Sequence, residues 1–177
     1  MATAIILVVF LASYFENQRI GTASKLSPVE SPSHLVIPSI SVNAVIQEAG
    51  IASSGRMGVP TNFSDVAWYK LGPKPGEIGS AVIDGHLDTA RDANAVFVNL
   101  GELKIGDEIA VIDKTGKKIR FRVTEKEIYD DESAPLAKIF DQNGNTARLN
   151  LITCDGVWNQ NEKSYDKRLV VYSERID

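Results

Sequence analysis

The chain has 177 residues, of which 44 % are hydrophobic and 24 % are charged, and its formal net charge is −4. This length and balance fit one globular domain with a substantial core. An acidic chain lacks the basic field that nucleic-acid-binding proteins usually carry, so we expect no nucleic-acid partner. The single cysteine, Cys154, excludes an intramolecular disulfide.

The chain begins with an uninterrupted apolar run over residues 4–12, and Glu16 is the first charged residue. A membrane-spanning helix needs about 20 apolar residues, so this run resembles a shortened anchor or the apolar region of a signal sequence. We predict that residues 1–15 associate with a membrane; the alternative is a buried strand or helix of the main domain. Residues 16–33 are rich in Ser and Pro, which is typical of a linker. The folded domain would then cover residues 34–177.

From residue 34 onward, short apolar runs are separated by turn residues, which predicts strands. Along 118–123, basic residues alternate with apolar ones, and this period of two predicts one solvated and one buried face. Strands at this spacing predict an all-β fold, a closed or nearly closed barrel with short helices in its connections. The predicted strands cover 35–38, 41–51, 80–83, 108–113, 118–123, 149–153 and 168–172, and the predicted helices cover 95–103 and 134–140.

Three residues that could support covalent catalysis lie at the ends of predicted strands. Cys154 follows one strand and precedes a Gly-containing turn, where a thiol can face solvent. His86 follows another strand, and Arg168 opens the last one. A nucleophilic thiol needs a base or cation nearby, and acyl transfer needs positive charge at the developing oxyanion. Taken singly, each residue also fits an ordinary structural role, as a packed cysteine, a surface histidine or a solvated arginine.

Longer motifs tie these residues to a known family. Residues 150–154 (Asn-Leu-Ile-Thr-Cys) are similar to the Thr-Leu-x-Thr-Cys motif of the sortases, and His86 and Arg168 follow and precede strands as that family's catalytic residues do. The stretches that resemble class F or class E sortases are 58–60, 67–72, 75–81, 95–100 and 103–108. The chain thus resembles the sortase family over nearly all of residues 34–177. Asn150 stands where the motif usually has Thr, and we expect it to alter packing and not chemistry.

The resemblance implies a closed eight-stranded barrel with an active site at one end. It implies that Cys154 is the nucleophile, His86 the acid and base, and Arg168 the donor to the oxyanion or substrate carbonyls. The substrate would be a surface protein with a C-terminal signal similar to Leu-Pro-x-Thr-Gly, cut at its Thr–Gly bond and joined to an amine of a cell-wall precursor or pilin. The protein would act on the extracytoplasmic face of a bacterial membrane. Thr153 is expected to line the substrate groove.

We expect no cofactor and no metal. An Asp-x-Asp-x-Asp-Gly calcium loop does not occur in the sequence, and one cysteine with two separated histidines makes a poor zinc set. Because the thiolate and the imidazolium must coexist, we expect a bell-shaped pH profile. Two other functions remain open: a surface-tethered cysteine peptidase without ligase activity, and a non-catalytic wall-associated module in which Cys154 only packs.

Overall fold

The computed structural model describes residues 29–88, 95–161 and 163–177. The predicted anchor and most of the predicted linker lie outside these residues. Within them, the strands are β1 (Pro32–Ile37), β2 (Val42–Ala49), β3 (Val66–Tyr69), β4 (Gly79–Gly85), β5 (Glu108–Asp113), β6 (Lys118–Asp130), β7 (Ala147–Asn159) and β8 (Ser164–Arg175). The connections contain one short α-helix, α1 (Leu136–Ile139), and 3₁₀ turns at Pro38–Ile40, Leu100–Glu102 and Asp131–Ser133.

The eight strands close into a barrel in the order β1-β2-β3-β4-β7-β8-β6-β5, and β5 pairs back onto β1. The β2–β3 and β4–β7 pairs are parallel, and the other neighbouring pairs are antiparallel. Closure pairs every strand with a neighbour on both sides, and the parts of β6 and β7 that run past β5 and β4 are paired on one side. The predicted all-β, closed eight-stranded barrel is confirmed.

The barrel interior is filled by alternate residues of its strands, as the period of two requires. On β6, Ile119, Phe121 and Val123 are buried, whereas the basic residues between them are exposed. The largest side chains with almost no exposed surface are Phe97, Phe121, Leu35, Ile37, Ile83, Leu100, Leu103, Ile109, Ile119, Leu149 and Leu151. These residues form one contiguous core, which fixes the positions of the strands that carry the site.

Some predicted elements are corrected by the structure. Strand β3 was not predicted, because four residues are too few to show a period. The predicted helix over 95–103 is instead a series of turns ending in the 3₁₀ turn Leu100–Glu102, since Phe97, Leu100 and Leu103 pack onto the core with tight turns between them. The helix predicted over 134–140 exists as the shorter α1, and β1 begins at Pro32, two residues before the predicted domain start.

A second apolar cluster lies on the outer face of the sheet. It is built around Val82 of β4, Val170 and Tyr172 of β8, and Ile139 of α1. The Nδ2 of Asn150 donates a hydrogen bond to the Ile139 carbonyl oxygen over 2.7 Å and holds α1 against β7. This packing role agrees with the expectation for the Asn that replaces the usual Thr. The cluster supports the floor of a cavity outside the barrel.

Candidate active site

The register of three neighbouring strands brings the predicted catalytic residues to one face. Cys154 of β7 lies directly opposite Arg168 of β8. On the other side of β7, Asp84 of β4 pairs with Ile152, and His86 follows two residues later. Because successive side chains alternate between the faces of a sheet, residues two apart share a face. His86, Cys154 and Arg168 thus follow one another across the outer face.

All three residues line a single cavity of about 550 Å³ on this outer face. That volume is in the range of small-molecule and peptide sites. One wall comes from the β2–β3 connection, the opposite wall from the β6–β7 connection that includes α1, and the floor from β4, β7 and β8. The lining includes Ile51, Arg56, Met57, Val59, Asp84, His86, Asp131, Leu136, Ile139, Ile152, Cys154, Arg168 and Val170.

The prediction that Cys154 and Arg168 lie at strand ends is wrong. β7 continues to Asn159 and β8 begins at Ser164, so both residues lie within strands that run past the end of β4. Cys154 is partly exposed because its position in the alternation points outward, not because the strand ends there. The site accordingly lies on the side of the barrel next to the end of β4, and not at the end of the barrel.

The surroundings of Cys154 act on its thiol in opposite directions. Burial raises the pKa of Cys154, and the nearby guanidinium of Arg168 lowers it. The carboxylates of Asp84, Asp131 and Asp88 raise that pKa further. The net shift is upward, so the thiol form dominates at neutral pH and the nucleophilic thiolate is a minor species.

His86 is held by the β2–β3 connection. Its Nε2 lies 3.1 Å from the carbonyl oxygen of Pro60. Since a carbonyl can only accept, Nε2 carries the hydrogen, and Nδ1 is then the nitrogen with a lone pair in the neutral ring. The ring of Phe63 packs on the imidazole with centroids 4.9 Å apart. The role of the Pro60 carbonyl was not predicted, although Pro60 lies in one of the sortase-like motifs.

The guanidinium of Arg168 is fixed by four protein acceptors. Its NH1 donates to the carbonyl oxygens of Tyr165 and Lys167 over 2.8 and 2.7 Å. Its NH2 donates to Ser164 Oγ over 3.0 Å and forms an ion pair with Asp131 Oδ1 over 3.1 Å. An arginine tied at both nitrogens keeps one orientation, which is what a preorganised donor requires.

Asp131 joins two arginines at the cavity wall. Its second carboxylate oxygen forms an ion pair with Arg56 of the β2–β3 connection. The carboxylate therefore links the two walls of the cavity to Arg168 on β8. This contact could not be predicted from the sequence, because Asp131 stands in a run of three acidic residues with nothing to distinguish it.

The expectation that Thr153 lines the substrate groove is corrected. Its side chain has no exposed surface, because alternation turns it to the barrel interior. The Thr153 hydroxyl instead donates to the carbonyl oxygen of Gly85 over 2.8 Å. Gly85 has no room for a side chain, since a Cβ there would lie 2.4 Å from the ring of Phe97. This hydrogen bond thus connects β7 and β4 directly before Cys154 and His86.

Two further structural features bear on the predictions. Among the described residues, no three or more His, Cys, Asp or Glu side chains are grouped so that they could hold a metal ion. The same part of the chain contains no helix with the length and apolar character needed to cross a membrane.

Comparison with known proteins gives a family match. The family described as Sortase domain matches residues 35–176. Sortase A from Corynebacterium diphtheriae (a lid mutant) is 22% identical to this chain with a TM-score of 0.64, and the match covers 87% of this chain and 74% of the sortase A chain. Sortase C-1 from Actinomyces oris is 24% identical with a TM-score of 0.62, covering 82% and 71%. The Clostridium perfringens Sortase D5 transpeptidase is 20% identical with a TM-score of 0.61, covering 92% and 89%. No curated protein matches the chain.

Proposed function

The chain belongs to the sortase family of cysteine transpeptidases, and on this premise we propose that it cleaves a Leu-Pro-x-Thr-Gly-like sorting signal and transfers the acyl part to an amine. Cys154 would carry the acyl group as a thioester. The observation that supports this best is the meeting of Cys154, His86 and Arg168 in one cavity, although they are far apart in the sequence.

The proposed reaction has two steps. In the first, the Cys154 thiolate attacks the Thr carbonyl carbon, the C–N bond to Gly breaks, and the imidazolium of His86 gives its proton to the departing amine. In the second, neutral His86 takes a proton from the incoming amine, whose nitrogen attacks the thioester carbon and expels the thiolate. Arg168 would stabilise the negative oxygen formed in both steps.

Exposed hydrophobic residues at the rim of the cavity favour a substrate with an apolar segment. Ile51, Val59 and Leu136 are large hydrophobic residues that line the cavity, and they are 59%, 57% and 65% exposed. Exposed apolar side chains grouped around a cleft are typical of a binding surface. The Leu-Pro part of a sorting signal would cover them.

For the cellular context, we propose residues 1–15 as a membrane anchor and residues 16–33 as a linker that holds the catalytic domain, residues 34–177, outside the membrane. The protein substrates would carry a C-terminal sorting signal, and the amine would come from a cell-wall precursor or a pilin. The apolar run at residues 4–12 and the polar composition that follows it support this arrangement.

The test is a peptide library incubated with the protein and an amine such as triglycine, with products read by mass spectrometry. We expect a ligated product from the wild type and none from Cys154→Ala. The matched control is Ser53→Ala, an exposed change in the β2–β3 connection outside the cavity lining. Cleavage without ligation would favour the peptidase alternative. Retained activity in Cys154→Ala would refute the thioester.

A further inference from the structure

Asp84 is a carboxyl group in the cavity that the proposed reaction does not use. Its side chain is half-buried. Asp84 lies in the cross-strand row Asp84–Ile152–Val170, and the Cys154–Arg168 pair lies two residues further along the same strands β7 and β8. All these residues line the cavity. The carboxyl group therefore lies in the cavity floor beside the row of outward-facing side chains that contains Cys154 and Arg168.

The side-chain carboxyl of Asp84, unlike its backbone, which lies in the β3–β4–β7 ladder, makes no hydrogen bond or ion pair to any residue that the structure describes. The two arginines of the cavity, Arg56 and Arg168, pair with Asp131 instead. The neighbours of Asp84 in its own row, Ile152 and Val170, are apolar. A carboxylate without a partner in such a place costs free energy, which a cationic ligand would recover.

We propose that Asp84 is a specificity-determining residue that recognises a basic side chain on the peptide substrate. This inference rests on the proposed function, because it concerns the acyl-donor peptide in the same cavity. The cavity that holds Cys154 is also lined by Asp84 and by Leu136 and Ile139 of α1, so a peptide bound at Cys154 and extending toward α1 can place a side chain over Asp84. A lysine or arginine of the peptide lying over this row would pair with the carboxylate, and the exposed apolar rim would contact its neighbours.

The ionisation of Asp84 agrees with this role. Burial raises the pKa of Asp84 to about 7, and the charge of Arg168 opposes that rise. The charged or titratable groups that line the cavity come from every element around it. They are Tyr69 from β3, Cys154 from β7, Arg168 from β8, His86 after β4, Arg56 from the β2–β3 connection and Asp131 from the β6–β7 connection. A bound cation would favour the ionised carboxylate, so recognition should weaken as the pH falls below about 7.

The experiment compares two series of peptides that differ at one position, where lysine is replaced by its uncharged isostere norleucine. Each position before the scissile bond is tested in turn, and kcat/KM is measured for both peptides from pH 5.5 to 8.5. The ratio of the two values cancels the ionisation of Cys154 and His86, since both peptides need the same catalytic groups. At one position we expect the wild type to prefer lysine by roughly 10-fold or more at pH 8, and the preference to fade at pH 5.5.

Substitutions identify the residue responsible. Asp84→Asn and Asp84→Ala should remove the preference for lysine. The matched control, Glu132→Gln, makes the same carboxylate-to-amide change at an exposed position and should keep it. A wild type without any lysine preference, or a preference that survives in folded Asp84→Asn, would overturn the inference. The wild-type ratio and its pH dependence decide the matter even if the variants fail to fold.

A binding measurement separates this inference from the proposed function. Fluorescence anisotropy of labelled lysine and norleucine peptides on Cys154→Ala reads recognition without turnover. A lysine preference in binding, with no ligation by the wild type, would support the role of Asp84 and refute the transpeptidase. Ligation without a preference for lysine in either assay would support the transpeptidase and refute the role of Asp84.

Discussion

The two faces of the β4–β7–β8 sheet differ in almost every physical respect, although the same strands build both. The inner face carries Leu149, Leu151 and Val171, which have no exposed surface and belong to the barrel core. On the outer face, Cys154 and Arg168 line an open cavity beside charged groups. Consecutive residues therefore serve different purposes, and a shift of one residue in register would exchange them.

Residues that provide rigidity and residues that line the cavity are therefore separated by the alternation of side chains along each strand, and not by distance along the chain. The inner residues hold the strand positions to which the outer side chains are attached. Substitutions on the inner face should mainly change the free energy of unfolding, and substitutions on the outer face should mainly change activity.

The largest effect on stability is expected from Leu151→Ala on the inner face. It should lower the free energy of unfolding by about 2–5 kcal/mol, because it removes packed methyl groups and leaves a cavity in the core. Chemical denaturation measures this loss. The control is Ile128→Ala on β6, where the side chain is 55% exposed and the change should stay within about 0.5 kcal/mol. Similar losses in both variants would contradict the comparison.

The largest effect on the outer face after loss of the nucleophile is expected from Arg168→Gln. Removing the fixed positive charge should lower kcat/KM by about 10²–10³-fold. It should also slow alkylation of Cys154 at pH 7, since Arg168 lowers the pKa of that thiol. Arg122→Gln, a substitution at an exposed position on β6, is the control and should change neither kcat/KM nor the alkylation rate of Cys154. An Arg168→Gln enzyme within threefold of the wild type would exclude the assigned role.

Thr153→Val tests a residue that belongs to both sides of the separation, because Thr153 faces inward yet links the segments that carry Cys154 and His86. The loss of its hydroxyl leaves the Gly85 carbonyl without this donor, so we expect a loss of about 1–3 kcal/mol in unfolding free energy together with a lower kcat. Thr153→Ser keeps the hydroxyl and should restore most of the kcat. If the serine and valine variants have equal kcat values, the hydrogen bond does not position His86.

The smallest effect is expected from Asp84→Asn, which tests the cost of a carboxyl on the outer face. Since the pKa of Asp84 in the folded protein is raised to about 7 from its ordinary 3.8, stability that is present at low pH is lost as the pH rises through 7. Asparagine does not ionise, so its variant should gain about 1 kcal/mol or more over the wild type between pH 4 and pH 8. If the difference in unfolding free energy between the variant and the wild type stays constant across this range, ionisation of Asp84 does not destabilise the folded protein.

Sequence patterns were sufficient for the barrel and for most of its strands. The alternation along 118–123 and the short apolar runs carry a local signal, because burial of one face repeats every second residue. The four residues of β3 carry too little of that signal. The 95–103 segment resembles a helix because its buried residues recur every three positions, a spacing that successive turns satisfy equally well.

The site was predicted in its residue types but not in its geometry. Resemblance to a family is what singled out Cys154, His86 and Arg168 as candidates, while their meeting depends on a strand register that no local pattern contains. The supporting contacts of Asp131 and of the Pro60 carbonyl are non-local in the same way. Thr153 was assigned to the groove because it adjoins the nucleophile, although parity sends neighbouring side chains to opposite faces.

The parallel pairing of β4 with β7 also has a kinetic consequence. All of β5 and β6 lie between these strands in the chain, so the seam between β4 and β7 joins segments that are far apart in the sequence. Contacts between such distant segments form late and slowly, since the entropy of a long loop is lost before the contact is gained. A newly made chain would therefore lack the juxtaposition of Cys154 and His86 until the seam between β4 and β7 has closed. The onset of enzymatic turnover during refolding would then serve as a clock for the last stage of barrel assembly.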